Sequence, residues 1–266
     1  MSLKGRLLLL QERIQTQIAL YSSQGMAAGD DLLHVAPRQG EQPLPSSQHS
    51  HLAPFAHPLK RDRAQLRFEA AGRPVRLVVV TKYQSVETVL ELYNLGVRDF
   101  GESRVADACK KQDLLPNDIS WHFIGTLQKN KVNKVVGRFS LIHSVDSVEL
   151  AEKISSVALR EGKQVPILLQ VNPLQEATKH GFSLEEFEEA YGQIKTLPNI
   201  VVKGIMAMAP KGDEQKIRQA FSLTSTLFTR FQDLTFSELS MGMSQDFEIA
   251  IEYGATIVRV GSALFT

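Results

Sequence analysis

Eight short runs rich in β-branched and apolar residues alternate with helical stripes from residue 76 onward, and this rhythm predicts an α/β fold of parallel strand–helix units. Two further observations narrow the prediction to a closed (β/α)8 barrel of the TIM type. Both faces of the first run, Leu77-Val-Val-Val80, are apolar, as in a strand covered on both sides. No glycine follows that run; the residues after Thr81 are Lys82-Tyr-Gln-Ser85, whereas a doubly wound open sheet usually carries a glycine fingerprint there. The doubly wound sheet is therefore the second choice.

The elements follow in chain order. Leu3, Leu7, Leu10, Ile14 and Ile18 recur at helical spacing, so residues 3–20 are expected to form an extra helix outside or under the barrel. From Ser22 to about Arg63 the character changes. This stretch holds Pro37, Pro43, Pro45, Pro54 and Pro58, five of the eleven prolines, with many Ser, Gln, Gly and His and little apolar periodicity. It is expected to be a disordered or loosely docked insertion, 22–63, in a single domain spanning 1–266. His34, His49, His51 and His57 fall within it; no cysteine or acidic cluster completes a metal site around His49 and His51. Barrel strands are expected to begin near residues 77, 97, 120, 140, 166, 201, 237 and 256. Between them, Val86, Val89, Leu90 and Tyr93 make one helical stripe, Ile154, Val157 and Ala158 another, and Phe187, Ala190, Tyr191 and Ile194 a third.

Composition excludes several function classes. The 266 residues are 43% hydrophobic and 22% charged, enough for one large core. A net charge of +1 creates no general field for nucleic acid or an anionic membrane. One cysteine, Cys109, excludes an intramolecular disulfide and a multi-cysteine metal site. The leucines at 7–10 are interrupted at once by Gln11, Glu12 and Arg13, too soon for a secretory signal or a membrane span. The expectation is a soluble, cytoplasmic protein.

In such a barrel the chemistry lies in the loops after the strands. Lys82 ends the first strand on the face of Val78 and Val80. Ser240-Met-Gly-Met-Ser244 follows the seventh, and Arg259-Val-Gly-Ser262 closes the eighth. These last two loops are where barrels often hold phosphate. Ser240 and Ser244 offer hydroxyls, and Gly242 and Gly261 let backbone N–H groups approach an anion. Ser244 is also placed to cap a helix starting near Gln245. Alternation puts Arg259 on the face of Ile257, where a guanidinium must find an acceptor. A carboxylate such as Glu102 is one candidate, and an acceptor atom on a ligand is the other. A phosphate site facing a lysine suggests a phosphorylated aldehyde held as a Schiff base. Pyridoxal phosphate has the parts, including a ring nitrogen for which Arg259 could be the partner. His122 is read as a satisfied core residue, and His180 as a loop residue near the mouth.

Several stretches carry a dense resemblance from about residue 66 to 265. They are Lys82 with its valines, Phe100-Gly-Glu102, Trp121-His-Phe-Ile-Gly125, Val145-Asp-Ser147, Lys179-His-Gly181, Gly204-Ile-Met206, Leu239 to Asp246 and Arg259 to Phe265. Together they resemble the pyridoxal phosphate homeostasis proteins, single-domain relatives of the alanine racemase barrel. The resemblance implies a barrel that binds pyridoxal 5′-phosphate without established turnover and serves vitamin B6 and amino-acid balance. It implies Lys82 as the Schiff-base lysine. Ser240 or Ser244, with the amides of Gly261 and Ser262, would hold the phosphate. Arg259 would face the ring nitrogen, and Met206 and Asn172 would line the pocket. Pyridoxal phosphate-dependent apoenzymes are the candidate recipients, and the chain is expected to be a monomer or weak dimer with no nucleic-acid or membrane partner. A slow amino-acid racemase is the alternative. Against it, a racemase needs an acid or base on each ring face, and this chain ends shortly after Gly261, without the second domain that supplies one in alanine racemases. The chain departs from the family at Ser103, where asparagine is common, at the 22–63 insertion, and at Thr266, where a charged tail usually follows.

Overall fold

The computed structural model describes the backbone of residues 1–28, 67–70 and 73–266, and the side chains of residues 1–22 and 75–266. Two-sided apolar runs become strands because covering both faces removes the most apolar surface from water. The barrel strands are β2 (Arg73–Val80), β3 (Asp99–Glu102), β4 (Ser120–Phe123), β5 (Leu141–Val145), β6 (Val165–Val171), β7 (Ile200–Ala207), β8 (Glu238–Ser240) and β9 (Ile257–Val260). Each pairs in parallel with the next, and β2 pairs with β9 to close the ring. This is the expected (β/α)8 barrel. A short strand, β1 (Arg67–Ala70), pairs antiparallel with β2 and was not anticipated.

The helices alternate with the strands. They are α2 (Val86–Asn94), α3 (Val105–Gln112), α4 (Val148–Arg160), α5 (Phe187–Ile194), α6 (Glu214–Phe231), α7 (Phe247–Glu252) and α8 (Ser262–Phe265), with a 3₁₀ turn at Lys129–Lys134. Ser85 and Ser147 cap α2 and α4 by accepting from Thr88 and Leu150 N–H. On α2 the buried face is Val89 and Leu92; Leu90, expected on the apolar stripe, is exposed. The stripes of α4 and α5 face inward as expected, with Tyr191 only half-buried.

Ahead of the barrel, α1 runs from Leu3 to Ala28, so residues 22–28 continue the helix instead of opening the insertion. The remainder of the expected 22–63 insertion lies outside the described residues. Leu7, Leu10, Ile14 and Ile18 are buried, and α1 packs on α7 and α8. Arg13 pairs with Glu248 at 2.9 Å and Gln17 donates to Glu252 at 3.1 Å, both on α7.

Strand alternation gives the barrel two cores. The outer one joins strands to helices through residues such as Leu77, Phe100, Phe123 and Val258. The inner one is small and comprises Val78, Leu141, Leu168, Met206 and Ile257. On β7 the pairing with β6 shifts between Val202 and Gly204. Gly204 has φ +150°, and a Cβ there would lie 1.8 Å from the Glu238 carbonyl oxygen, so only glycine permits that approach of β8. Among the described residues no helix is long and apolar enough to cross a membrane.

Candidate functional site

At the carboxyl end of β2 the chain turns with Lys82 half-buried. Its Nζ lies 5.2 Å from the centre of the Tyr83 ring and has no hydrogen bond or ion pair among the described residues. Its position is braced from outside the barrel. The Lys111 ammonium of α3 donates to the Thr81 carbonyl at 2.7 Å and to Glu102 Oε1 at 2.7 Å, and the Thr81 hydroxyl donates to the same carboxylate oxygen at 2.8 Å. Glu102 is fully buried and its Oε2 has no partner. A buried ion pair with further hydrogen bonds tolerates little displacement, so the peptide bond leading to Lys82 is held in place.

Beside this strand end lie the loops after β8 and β9. Gly261 packs against Val80, with room for a Cβ only at 3.2 Å from the Val80 side chain and carbonyl oxygen. The Ser244 hydroxyl oxygen accepts from the Gly261 N–H at 3.1 Å and the Ala263 N–H at 3.2 Å. The Ser262 N–H between them has no acceptor among the described residues, and Ser262 is exposed. Two amides thus converge on one oxygen with a third beside them, the arrangement a phosphate oxygen requires. Gly242, at φ +90°, lets the loop lie on α7; a Cβ there would sit 2.6 Å from the Ala250 Cβ. Ser244 does not cap the following helix. That helix starts at Phe247, and Asp246, the preceding residue, accepts instead from the Met243 N–H at 2.5 Å. Burial pushes the Asp246 carboxyl above its ordinary range.

Arg259 is buried in the barrel. One terminal nitrogen donates to Ser240 Oγ at 2.6 Å and the other to the Ala207 carbonyl at 3.0 Å. That uses two of the five guanidinium N–H groups and leaves three without an acceptor among the described residues, the one on Nε included. Burial lowers the guanidinium pKa to about 10, partly offset by the Asp246 carboxylate. The carboxylate partner considered from sequence, Glu102, is excluded. It lies on the outer face of the barrel wall with Lys111, and Arg259 lies on the inner face.

The remaining sequence-predicted residues separate. Met206 joins the inner core beneath the mouth, with Met208 packed against it. Ser240 is fully buried, and its hydroxyl sits between Arg259 and His143, too deep for the phosphate loops. Of the two hydroxyls offered for an anion, only Ser244 stands among the backbone amides of the last loop. Asn172 is consumed by its own loop: Oδ1 accepts from the Glu176 N–H, and Nδ2 donates to the Glu176 and Lys179 carbonyls. It shapes the loop at the mouth and presents no free donor to a pocket. His180 on that loop is exposed, 4.0 Å from Asp146. His143, passed over in the sequence, and His122 lie on the inner wall in contact with Ser240 and Asp99. Among the described residues no group of three His, Cys, Asp or Glu side chains could hold a metal ion.

An unpaired primary amine, a cluster of amides for an anion and a buried guanidinium with spare donors therefore share one end of the barrel. They fit a ligand carrying a carbonyl carbon, a phosphate and a ring acceptor atom. Residues 59–266 match the family described as alanine racemase, N-terminal domain. The pyridoxal phosphate homeostasis protein of a Synechocystis strain is 40% identical over 197 residues, 72% of this chain and 90% of that protein. The protein of the same name from Aquifex aeolicus is 39% identical over 212 residues, 77% of this chain and 93% of its own length. The solved structure of PipY from Synechococcus elongatus with pyridoxal phosphate bound superposes with a TM-score of 0.65 at 36% identity, covering 72% of this chain and 92% of PipY. An alanine racemase from Corynebacterium glutamicum shares the fold at a TM-score of 0.61 and 14% identity, with 72% of this chain covering 56% of the racemase.

Proposed function

The chain belongs to the pyridoxal phosphate homeostasis proteins, within the alanine racemase N-terminal domain family, and on that premise we propose that its barrel mouth binds pyridoxal 5′-phosphate with Lys82 as the point of attachment. The observation that carries this reading is the unpaired Lys82 amine beside the Ser244–Gly261–Ala263 amide cluster. When bound, the coenzyme supplies an aldehyde that condenses with a primary amine and loses water. Lys82 provides that amine, and Lys111 and Glu102 hold the backbone that carries it. The amides of Gly261, Ser262 and Ala263 receive phosphate oxygens, and the Ser244 hydroxyl, which now accepts from two of them, turns to donate. Arg259 presents N–H groups to the ring nitrogen, and Met206 closes the pocket floor.

The reading is binding and homeostasis of vitamin B6 and amino acids, not turnover. A guanidinium only donates, so it occupies the ring nitrogen's lone pair and opposes its protonation. The ring's capacity to withdraw electrons from a bound substrate is thereby weakened. The relatives that match most of this chain carry the homeostasis name, and the racemase reading gains nothing from them. We read residues 1–266 as a single cytoplasmic binding domain, a monomer or weak dimer that hands its coenzyme to apoenzymes.

Borohydride reduction of the protein with pyridoxal phosphate, followed by peptide mapping, tests the assignment. The added mass is expected on Lys82, and Lys82→Ala is expected to lose both the label and the visible absorption band. A label on another side chain, or none, overturns the proposal.

A further inference from the structure

A line of hydrogen bonds crosses the barrel interior from its floor to Arg259. His122 Nε2 lies 3.0 Å from Asp99 Oδ1, His122 Nδ1 lies 2.9 Å from His143 Nε2, and His143 Nδ1 lies 2.9 Å from Ser240 Oγ. Arg259 closes the line by donating to Ser240 Oγ at 2.6 Å. All five side chains are buried. At the far end a cavity of about 220 Å³, on the side opposite the mouth, is lined by Asp99, His122, Arg76, Lys203 and Glu238.

One assignment of protons gives every bond the same direction. A guanidinium has only N–H donors and an ionised carboxylate only acceptors. In that assignment Ser240 Oγ accepts from Arg259 with one lone pair and gives its single proton to His143 Nδ1. His143 then carries its proton on Nε2 and donates to His122 Nδ1. His122 in turn carries its proton on Nε2 and donates to Asp99. Four bonds then share one polarity.

We propose that Asp99, His122, His143 and Ser240 form a positioning relay that orients Arg259 toward the coenzyme ring, so that residues on the barrel floor tune the hydrogen bond at the ring nitrogen. The inference rests on the reading of Arg259 as the partner of that nitrogen. The surrounding charges agree with it. Burial keeps His143 neutral, and the positive charges of Arg259 and Arg76 act in the same direction. At the floor, Asp99 also sees the Arg76 Nε at 4.0 Å, and Arg76 pairs with Glu238 at 2.9 Å. At the mouth, Asp246, itself under the influence of Lys179, is the carboxylate acting on Arg259. A chain of aligned bonds in a low-dielectric interior polarises its members together, so a change at one end is felt at the other.

Two measurements decide the matter. In coenzyme-free, full-length protein labelled with ¹⁵N-histidine, NMR is expected to show His143 as the neutral Nε2–H tautomer between pH 6 and 8. A charged His143, or one protonated on Nδ1, overturns the relay whether or not any variant folds. In coenzyme-loaded protein, His143→Phe and Asp99→Leu are each expected to move the pH midpoint of the visible band by about one pH unit, the size of one lost charge-assisted hydrogen bond. A wild-type midpoint in both variants, with the wild-type band present, also overturns it. If wild-type protein shows no band, the binding proposal fails, and the tautomers still judge the relay.

Discussion

A single hydroxyl oxygen, that of Ser244, stands where two backbone amides of the last loop converge. Replacing it with alanine removes one donor to a bound phosphate and leaves Lys82 and Arg259 untouched. Ser244→Ala is expected to weaken binding of pyridoxal 5′-phosphate about tenfold, the value of one hydrogen bond to a charged group. Binding of pyridoxal, which has no phosphate, should not change, and equal losses for both ligands in a titration would remove Ser244 from the anion site. At this scale the sequence is informative where strand parity alone decides. Strand parity puts Lys82 on the face of Val78 and Arg259 on that of Ile257, and the structure places both of those residues in the inner core. The sequence is uninformative where a side chain's partner is distant. Ser240 binds His143 across 97 positions and His122 meets His143 across 21, so nothing local marks a relay. The family resemblance implies Asn172 as pocket lining. Its role follows from three hydrogen bonds to residues four and seven positions away, a local pattern that an Asn opening a loop could have suggested.

At the scale of elements, the eight barrel strands were legible because strand-like runs alternate with helical stripes, and the first run is apolar on both faces. The short β1 was not, since Arg67-Phe-Glu-Ala70 has too few residues to show a period and owes its form to pairing with β2. The first helix extends to Ala28, past Ile18, the last buried apolar residue among those of its residues whose side chains are described, so the apolar pattern did not mark its end. One glycine has a role that only geometry reveals. Gly204, at φ +150°, brings β7 so close to β8 that a methyl group would meet the Glu238 carbonyl oxygen at 1.8 Å. Gly204→Ala is expected to destabilise the fold by at least about 3 kcal/mol through backbone strain and displaced pairing. Because β8 carries Ser240 two residues beyond Glu238, coenzyme binding should weaken as well. Urea denaturation measures the first effect, and an unchanged midpoint would show that β8 can shift without cost.

For the molecule as a whole, the closed ring and the α1 buttress make the candidate site a property of global folding. Its mouth loops sit on α7 and α8, and those helices are clamped by α1 through Ile14, Ile18 and the Arg13–Glu248 pair. The barrel interior that supports Arg259 also holds a histidine that folding keeps uncharged, which links stability to pH. Burial lowers the His143 pKa well below its ordinary 6.5. Below pH 6.5 the unfolded chain binds a proton at this residue and the native chain does not, so stability falls as the solution is acidified. The contribution is fully present above 6.5 and is lost toward the depressed native value, at up to about 1.4 kcal/mol per pH unit. Asp146 and Asp246 act with the opposite sign. Burial raises both, so their contribution is present below 3.8 and fades as pH climbs through their native values. On acidification these carboxyls regain stability while the histidine loses it, so a decline below pH 6.5 belongs to the histidine. Chemical denaturation of the coenzyme-free protein between pH 7.5 and 5 should show this decline, and His143→Gln, though less stable at neutral pH, should flatten it. A wild-type profile flat over that range would mean that the proton enters the barrel without unfolding it, and that its interior is less closed to charge than the packing around His143 requires.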